Sequence, residues 1–591
     1  MDKLLRVNLS NGNCQEEMIP EEIKNTYLGG KGLIAYYLYH ELDQNCDPLG
    51  ADNKLMFFTG PLTGLMPGYD RFVVGAKSPL TNTFSDSYAG GWFSVSLKKA
   101  GYLGLIVEGK AAQPVYLRIE GDHAELVDAV KYAGMSTSKL DQALPGFRVA
   151  AIGPAGENLV KYACIVSNAA KGGRTGVAGR GGLGAVMGSK NLKAVAVKPV
   201  QDYIKPLFEQ TIQIRREATA HIKENVMPLM GLGGNLGAVD LSARAKVLPV
   251  NNFQRGFTEN YVAVNEAAVE KVTTKKNSCH ICPAACGVEI SVSTDQFSEV
   301  ELDRLEYETI AMCGTNCGHH NLSSIAALNL FCNENGLDVI SAGNVIAFTM
   351  ECAEKGLIDH DIRFGDLARQ IGLLEQIVNK KGLGVLLAEG VNPAAREIGG
   401  GAEELALHVK GLEIPGYDPR GSISQGLAYG TSDRGGCHMR AWSIASDAFL
   451  NVEYGVQEAD PFAIEGKAVL VKELQDLNAA LWCLISCDNL GYTPEYALKM
   501  LKAIGISLSR EEFIKTGERI CNLAQLFNCR EGFSRKDDYL PPRFYEARED
   551  TGWKIEKNQY DLMLNEYYQL RRWDQEGKPT DAILKELKIK A

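Results

Sequence analysis

In Cys279-His-Ile-Cys282-Pro-Ala-Ala-Cys286, three thiols fall within eight residues, spaced C-x2-C-x3-C, and Gly287 follows. Thiols this close share one inorganic centre. Two centres suit the spacing: a [4Fe–4S] cluster completed by a distant fourth cysteine, or a structural zinc completed by a Cys or His. Pro283 presets φ and stops a helix from starting inside the loop. His280 reads as solvent-facing and not as a ligand. Cys313, Cys317, Cys332, Cys437, Cys483 and Cys487 are the candidates for the fourth thiolate, and their order alone does not choose among them. Scattered cysteines are otherwise small core residues.

Around this loop lie 591 residues with 15 Cys, 61 Gly and a net charge of −11. The length calls for about three or four domains. The acidic balance argues against nucleic-acid or anionic-membrane partners, which select a basic excess. The first residues, Met1-Asp-Lys-Leu-Leu-Arg-Val-Asn8, carry no leader-like apolar stretch. No apolar run reaches the roughly 18 residues of a membrane helix. A cytoplasmic protein is expected, where clustered Cys mean metal or redox chemistry.

Short apolar runs ending at turn residues predict strands at Leu4–Leu9, Leu55–Phe58, Phe72–Val74, Leu105–Val107, Val115–Ile119, Val149–Ile152 and Ala194–Val197. Helices are expected near Leu33–Leu42 and Val95–Ala100. Beyond Tyr203 the periodicity turns helical, over Phe208–Ile222, Ser323–Glu334, Ala342–Lys355, Ala468–Ala480, Pro494–Ile504 and Arg510–Phe527, ahead of a charged tail. Residues 225–260 read as irregular, and a short strand pair is expected at Val288–Val292 and Ser298–Leu302. The pattern is α+β in three parts: a β-rich N-terminal domain over 1–202, a helical middle domain over 203–405 that carries the Cys loop, and a helical C-terminal domain over 406–591. No internal repeat is evident.

Two further blocks carry chemistry. Gly179-Arg-Gly-Gly-Leu-Gly184 runs on to Lys190 and Lys193 and looks like G-x-G-x-x-G, but lacks the acidic residue of a dinucleotide fold. Its consecutive N–H groups beside Arg180, Lys190 and Lys193 form an expected anion nest. Residues 406–440 are dense in Gly and polar groups, as site loops are.

Ten blocks in order make the whole chain resemble the tungsten-dependent aldehyde:ferredoxin oxidoreductase family. They are Leu28-Gly-Gly-Lys-Gly-Leu33, Thr59-Gly-Pro-Leu-Thr-Gly64, Arg71 before Lys77-Ser-Pro-Leu-Thr81, the 179–193 block, Asn252-Phe-Gln-Arg-Gly-Phe257, the Cys279–Cys286 loop, Glu306-Tyr-Glu308-Thr309, Asn333-Glu-Asn-Gly-Leu-Asp338, Ile414-Pro-Gly-Tyr-Asp-Pro-Arg420 and Asp433-Arg-Gly-Gly-Cys-His438. The resemblance implies a β-rich base under two pyranopterins whose dithiolenes hold tungsten or molybdenum, with a Mg2+ ion bridging the pterin phosphates. It implies a [4Fe–4S] cluster on Cys279, Cys282, Cys286 and Cys487, linked to a pterin by Arg71. It also implies pterin contacts from Tyr88, Gly90, Gly91, Arg180, Gly181, Gly182, Asn333, Asp338, Arg440 and Asp488. Glu308 and His438 match the Glu and His beside the metal, with Glu306 the rival carboxylate.

The implied activity is oxidation of a small aldehyde to a carboxylic acid, with His438 as imidazolium polarising the carbonyl and Glu308 accepting a proton. Electrons pass to ferredoxin or a ferredoxin-like iron–sulfur subunit, in a homo- or hetero-oligomer. The chain departs from the family in places. Asn333 opens the first pterin motif where the family has Asp. The second, D-x-x-G-L-C, reads Trp482-Cys-Leu-Ile-Ser-Cys487, with Asp488 just beyond. Ala327 and Leu330 stand where some members carry an iron-binding E-x-x-H pair. Two alternatives remain: the tungsten subunit of an aromatic-acyl-CoA reductase of the benzoyl-CoA type, and a zinc-organised binding module.

Overall fold

The computed structural model describes residues 3–167, 175–229, 234–293, 299–454, 456 and 459–590. Gly172, Gly173, Gly231, Gly233 and the expected strand start at Ser298 lie outside them. The N-terminal part is two six-stranded sheets. The first runs, edge to edge, Asn13–Met18, Lys3–Asn8, Tyr102–Glu108, Leu55–Phe58, Phe72–Lys77 and Phe84–Ala89. The second runs His123–Asp128, Val115–Glu120, Leu192–Lys198, Arg148–Ala151, Ile165–Ser167 and Gly176–Ala178.

Their topologies coincide. In each, the first two strands form an antiparallel hairpin, and the leading strand pairs in parallel with the last strand of its unit (Lys3–Asn8 with Tyr102–Glu108, Val115–Glu120 with Leu192–Lys198). The middle three strands then follow antiparallel. A short helix precedes the closing strand in both, Phe93–Lys99 and Leu183–Ser189. This is an internal duplication that the sequence reading missed, because the two halves share strand order and not residues.

The sheets pack face to face. Phe57, Phe72, Val74 and Val107 of the first meet Leu117, Ile119, Ile165 and Val195 of the second in one core. Every residue of Phe72–Lys77 is buried, since Val73 on the opposite face packs under helices. Strands covered on both sides read as continuous apolar runs, which is why this one was legible. Phe84–Ala89 was not: Ser85, Asp86 and Ser87 are buried polar residues.

Helices Gly30–Glu41, Lys467–Cys483 and Arg510–Arg530 cover the outer face of the first sheet. The remaining helices form a larger core that joins residues on both sides of position 405. The irregular stretch expected over 225–260 contains a helix, Ala238–Arg244. A third strand, Thr273–Asn277, joins Gly287–Val292 and Val300–Leu302. The expected charged tail folds into Lys557–Arg571, whose Tyr560, Leu564 and Tyr567 are buried. No helix among the described residues is long and apolar enough to cross a membrane.

The helical core is cross-braced by charge. Asp418, fully buried, accepts from Arg420 Nη2 at 2.7 Å and Arg548 Nη1 at 2.9 Å. Burial alone would raise its pKa, but the two guanidinium groups outweigh it and hold the carboxyl at about 2. Its folded pKa is depressed, so its stabilisation is present above about pH 4 and is lost as pH falls toward 2. Asp418→Asn strands two buried cations. It is expected to cost about 3–5 kcal/mol, seen as a lower thermal unfolding midpoint at pH 7 and a shrinking difference from the unsubstituted chain below pH 4.

Candidate active site

Two helix ends deliver the site. Leu322–Asn335 stops at Gly336, whose φ of 72° is left-handed, and the chain then reaches Asp338. Lys467–Cys483 ends in the same way: Ile485 takes φ 62°, and Cys487 follows. Glycine is usual at such a position. Ile485 occupies it without a glycine's freedom and marks where the second motif has diverged.

Each end rests on glycines of the sheets. A Cβ on Gly153 would lie 2.3 Å from the Asn335 carbonyl carbon, and one on Gly60 would lie 2.2 Å from the Leu484 carbonyl oxygen. A Cβ on Gly29 or on Gly30 would likewise lie 2.8 Å from the Cys483 carbonyl oxygen or 2.3 Å from that of Trp482. Close backbone approach therefore accounts for the Gly-rich blocks at 28–33 and 59–64.

Between the helix ends lies a cavity of about 870 Å³, at the large end of the roughly 300–1,000 Å³ typical of ligand pockets. Arg71, Tyr88 and Gly90 line it from the first sheet unit, and Gly179 and Arg180 from the second. Asn333, Asp338 and Asp488 line it from the helix ends, and Glu308 and His438 from the helical core. Arg180 Nε lies 3.0 Å from Asp338 Oδ2, and its backbone N–H donates to Ser87 Oγ.

Glu308 Oε1 and His438 Nε2 are 3.5 Å apart. The second carboxyl oxygen of Glu308 accepts the Gly416 N–H at 2.8 Å. Glu308 Oε1 and His438 Nδ1 are buried without a hydrogen-bond partner. Burial pushes the Glu308 carboxyl up to about 8. Burial, then Arg180 and Arg434, pushes His438 well below the usual imidazole range. This runs against the expected imidazolium: burial and two guanidinium groups disfavour a third cation. Glu306 is partly exposed and bonded to Arg304, so Glu308 is the carboxylate that meets His438.

The four thiols gather at the far end of the cavity. Arg71 Nη2 lies 3.5 Å from Cys487 Sγ, while its Nη1 donates to Asp488 Oδ2 at 2.7 Å. Charge interactions link Arg71 to Cys279 and Cys487, Cys487 to Cys286, and Cys282 to Cys279 and Cys487. Within the loop, Ile281 and Ala285 take φ of 50° and 43°, a left-handed backbone uncommon for such residues. Among the described residues no group of three or more His, Cys, Asp or Glu is set to hold a single metal ion.

Other expectations are corrected. Gly181 and Gly182 serve turning and packing: both have positive φ, and a Cβ would collide with Ser85 Oγ and the Lys161 carbonyl. Lys190 Nζ donates to the Ala51 and Gly109 carbonyls, and Lys193 to Glu157, so neither flanks an anion nest. Gly91 is not among the cavity-lining residues. Arg440 sits behind the wall, paired with Asp433 and Asp86, in a buried network with Lys31. Asp488, the candidate for the missing motif aspartate, is bonded by Arg71 and by Trp482 Nε1 at 2.8 Å. His280 is half-buried with its ring 5.1 Å from Trp92, not solvent-facing.

Sequence reasoning missed Arg434, Trp442 and Tyr417, which also line the cavity. Arg434 was visible inside the quoted 433–438 block. Tyr417 stacks on Tyr307 at 4.6 Å, and nothing in the sequence pairs them.

The comparisons with known proteins agree with this geometry. The family model described as aldehyde ferredoxin oxidoreductase, N-terminal domain, matches residues 4–199, and that for domains 2 and 3 matches residues 213–589. The chain belongs to the aldehyde ferredoxin oxidoreductase family. It is 36% identical to the tungsten-containing aldehyde ferredoxin oxidoreductase of Pyrococcus furiosus and 37% to that of Pyrococcus abyssi, covering 99% of this chain and 98% of each relative. An aliphatic sulfonate oxidoreductase, WOR-like subunit, of Pyrococcus furiosus is 29% identical over 99% of this chain and 96% of its own length. Among solved structures, the active-site complex BamBC of benzoyl coenzyme A reductase with 1,5-dienoyl-CoA aligns with TM-score 0.84 and 28% identity, over 100% of this chain and 97% of that one.

The residues of this member of the aldehyde ferredoxin oxidoreductase family fit the groups that the resemblance implies. Arg71, Arg180 and Arg434 suit pterin phosphates. Asn333, through its amide oxygen, and Asp338 suit pterin N–H groups. The unpartnered Glu308 and His438 atoms leave donor and acceptor capacity for a reacting group. Trp482 stands in the cavity wall where the second motif's aspartate belongs, so the second pterin would lack that carboxylate.

Proposed function

We propose that this chain oxidises aldehydes to carboxylic acids at a tungsten or molybdenum bis-pyranopterin and passes the electrons, through a [4Fe–4S] cluster on Cys279, Cys282, Cys286 and Cys487, to ferredoxin or a ferredoxin-like subunit. The balance is RCHO + H2O → RCOO⁻ + 3 H⁺ + 2 e⁻. The observation that carries this reading is one cavity with a Glu308–His438 pair on its wall and Arg71, against the Cys487 thiol, at its end.

The metal–pterin group supplies the two-electron chemistry when bound. The protein's part follows from its own atoms. Arg71, Arg180 and Arg434 would hold the pterin phosphates together with a Mg2+ ion, and Asn333 and Asp338 would hold the pterin edge. Glu308, once ionised, takes the proton of the attacking water. His438 is neutral, so it offers the aldehyde oxygen an N–H and not a charge. Tyr417 and Trp442 shape the apolar side and keep water from the pair.

The test is metal analysis of purified protein together with aldehyde-dependent dye reduction. Tungsten or molybdenum, iron near four per chain and dye reduction with aldehyde are expected. Zinc without tungsten, molybdenum or iron would overturn the reading. A second reading, as the catalytic subunit of a benzoyl-CoA type reductase, is favoured by the structural match over the whole chain. It predicts dye reduction with a dienoyl-CoA and none with aldehydes.

A further inference from the structure

We propose that the face built from Trp92, His280, Lys99, Arg148, Arg215 and Arg216 is the docking surface for a small acidic iron–sulfur protein that takes electrons from this chain. The inference rests on the electron-transfer role just proposed and gives it a place and a partner chemistry.

The face lies directly over the cysteine loop. Gly90, two residues before Trp92, is near enough that a Cβ there would lie 3.7 Å from Cys279 Sγ. The Trp92 ring packs against His280, inside the loop, at 5.1 Å. All residues from Cys279 to Cys286 are only partly buried, so the loop reaches the surface. Electrons that arrive there need little further protein to cross.

Its charge opposes that of the chain. The molecule as a whole is at −11, which repels an acidic partner, yet cations collect here. Arg148 sits 5.5 Å over the Trp92 ring. Lys99 and Arg215 are the cations felt by His280. Arg216 stands close enough to lower the pKa of Arg215, after burial. Asp202 pairs with Lys99 at 3.0 Å and cancels one charge; Arg148, Arg215 and Arg216 leave the surface positive.

Its apolar part is equally unlike an ordinary surface. Tyr203, whose N–H bonds the Lys99 carbonyl, is 38% exposed, and Ile212, one turn before Arg215 and Arg216, is 47% exposed. Arg215 lies flat on Phe208 at 3.5 Å. Aromatic and Arg side chains with a cationic rim are what interfaces enrich. A complementary field speeds encounter with an acidic partner more than it tightens the complex. Each encounter would oxidise the chain by one electron and reduce the acceptor by one, so two encounters complete one aldehyde oxidation.

The test uses the loaded enzyme, an acidic 2[4Fe–4S] ferredoxin and a small dye. Arg148→Glu with Arg216→Glu, two exposed side chains outside the cavity, is expected to raise the KM for ferredoxin by about tenfold or more and to flatten its salt dependence. Dye-coupled aldehyde oxidation and iron content should stay unchanged, and Arg363→Glu, far along the chain, should do nothing. An unchanged ferredoxin KM with unchanged salt dependence overturns the docking face. If the unsubstituted enzyme reduces no dye with aldehyde, the proposed activity fails instead. Direct ferredoxin binding to the two proteins then still decides the surface, weaker binding by the variant supporting it and equal binding overturning it.

Discussion

Glu308→Gln lowers kcat for an aldehyde by about 10²- to 10⁴-fold, the range for removing a positioned proton acceptor, with little change in KM. The amide keeps the shape and can still accept the Gly416 N–H, so the cavity wall stands. What it loses is the titration. Burial pushes the Glu308 carboxyl up to about 8, so at pH 7 most molecules carry it protonated. The pH profile of kcat/KM is therefore expected to rise through about pH 8 and then level, and this limb should vanish in the Gln variant.

Stability supplies a second readout with the opposite sign. A carboxyl whose folded pKa is raised binds its proton more tightly when folded. Its presence costs nothing below the unfolded pKa near 4.5, and destabilises increasingly as pH climbs through 8. Glu308→Gln is thus expected to be less active and, above pH 8, more stable than the unsubstituted protein. A purely structural glutamate gives the reverse stability result, and a flat pH profile in the unsubstituted enzyme sinks the proton-acceptor role.

How far the sequence reached can be traced to particular residues. Leu55–Phe58 and the cores of Phe72–Lys77 and Leu192–Lys198 were plain, because strands buried on both faces are written in unbroken apolar residues. Phe84–Ala89 was illegible because the groups that satisfy Asp86, namely Lys31, Arg434 and Arg440, come from elsewhere in the chain. The edge strands Asn13–Met18 and His123–Asp128 contain no fully buried residue and so carry no buried pattern.

The thiol loop was legible as residue types at a fixed spacing, whereas Arg71 and the Glu308–His438 pair came only from the resemblance of their blocks to the family. The electrostatics were not legible. A neutral His438, an unused Lys190 and an already bonded Asp488 depend on burial and on distant partners. Once folded, the topology also shows why there are two motifs. Each sheet unit supports one helix end, Gly60 against Leu484 and Gly153 against Asn335, so the cavity between them has two similar walls.

Cys487→Ser is expected to remove most of the iron and the visible absorbance, and to abolish electron delivery to ferredoxin. A serine hydroxyl is a poor replacement for a thiolate among four. The local fold should survive. Cys487 hangs from Gly68 by its backbone N–H at 2.8 Å, a bond that serine keeps. Arg71 loses its sulfur partner but retains Asp488 at 2.7 Å, so the cavity end stays closed and the thermal midpoint should move by only a few degrees. Rival ligands make the control. Cys483 bonds the Ala479 carbonyl inside its helix. Cys313 and Cys317 lie buried in the helical core, the latter bonded to the Met312 carbonyl. Serine at Cys483 or Cys317 should leave the iron in place, and loss of iron from either, with retention in Cys487→Ser, would refute the assignment. Tungsten or molybdenum gives the last discrimination. Of the residues proposed to hold the pterins, Arg71 touches Cys487 but keeps Asp488, and Arg180, Arg434, Asn333 and Asp338 lie on other elements, so the variant should keep that metal while losing iron. An enzyme that still carries tungsten or molybdenum, yet no longer passes electrons to ferredoxin, separates the exit path at Cys279–Cys286 from the chemistry at Glu308 and His438.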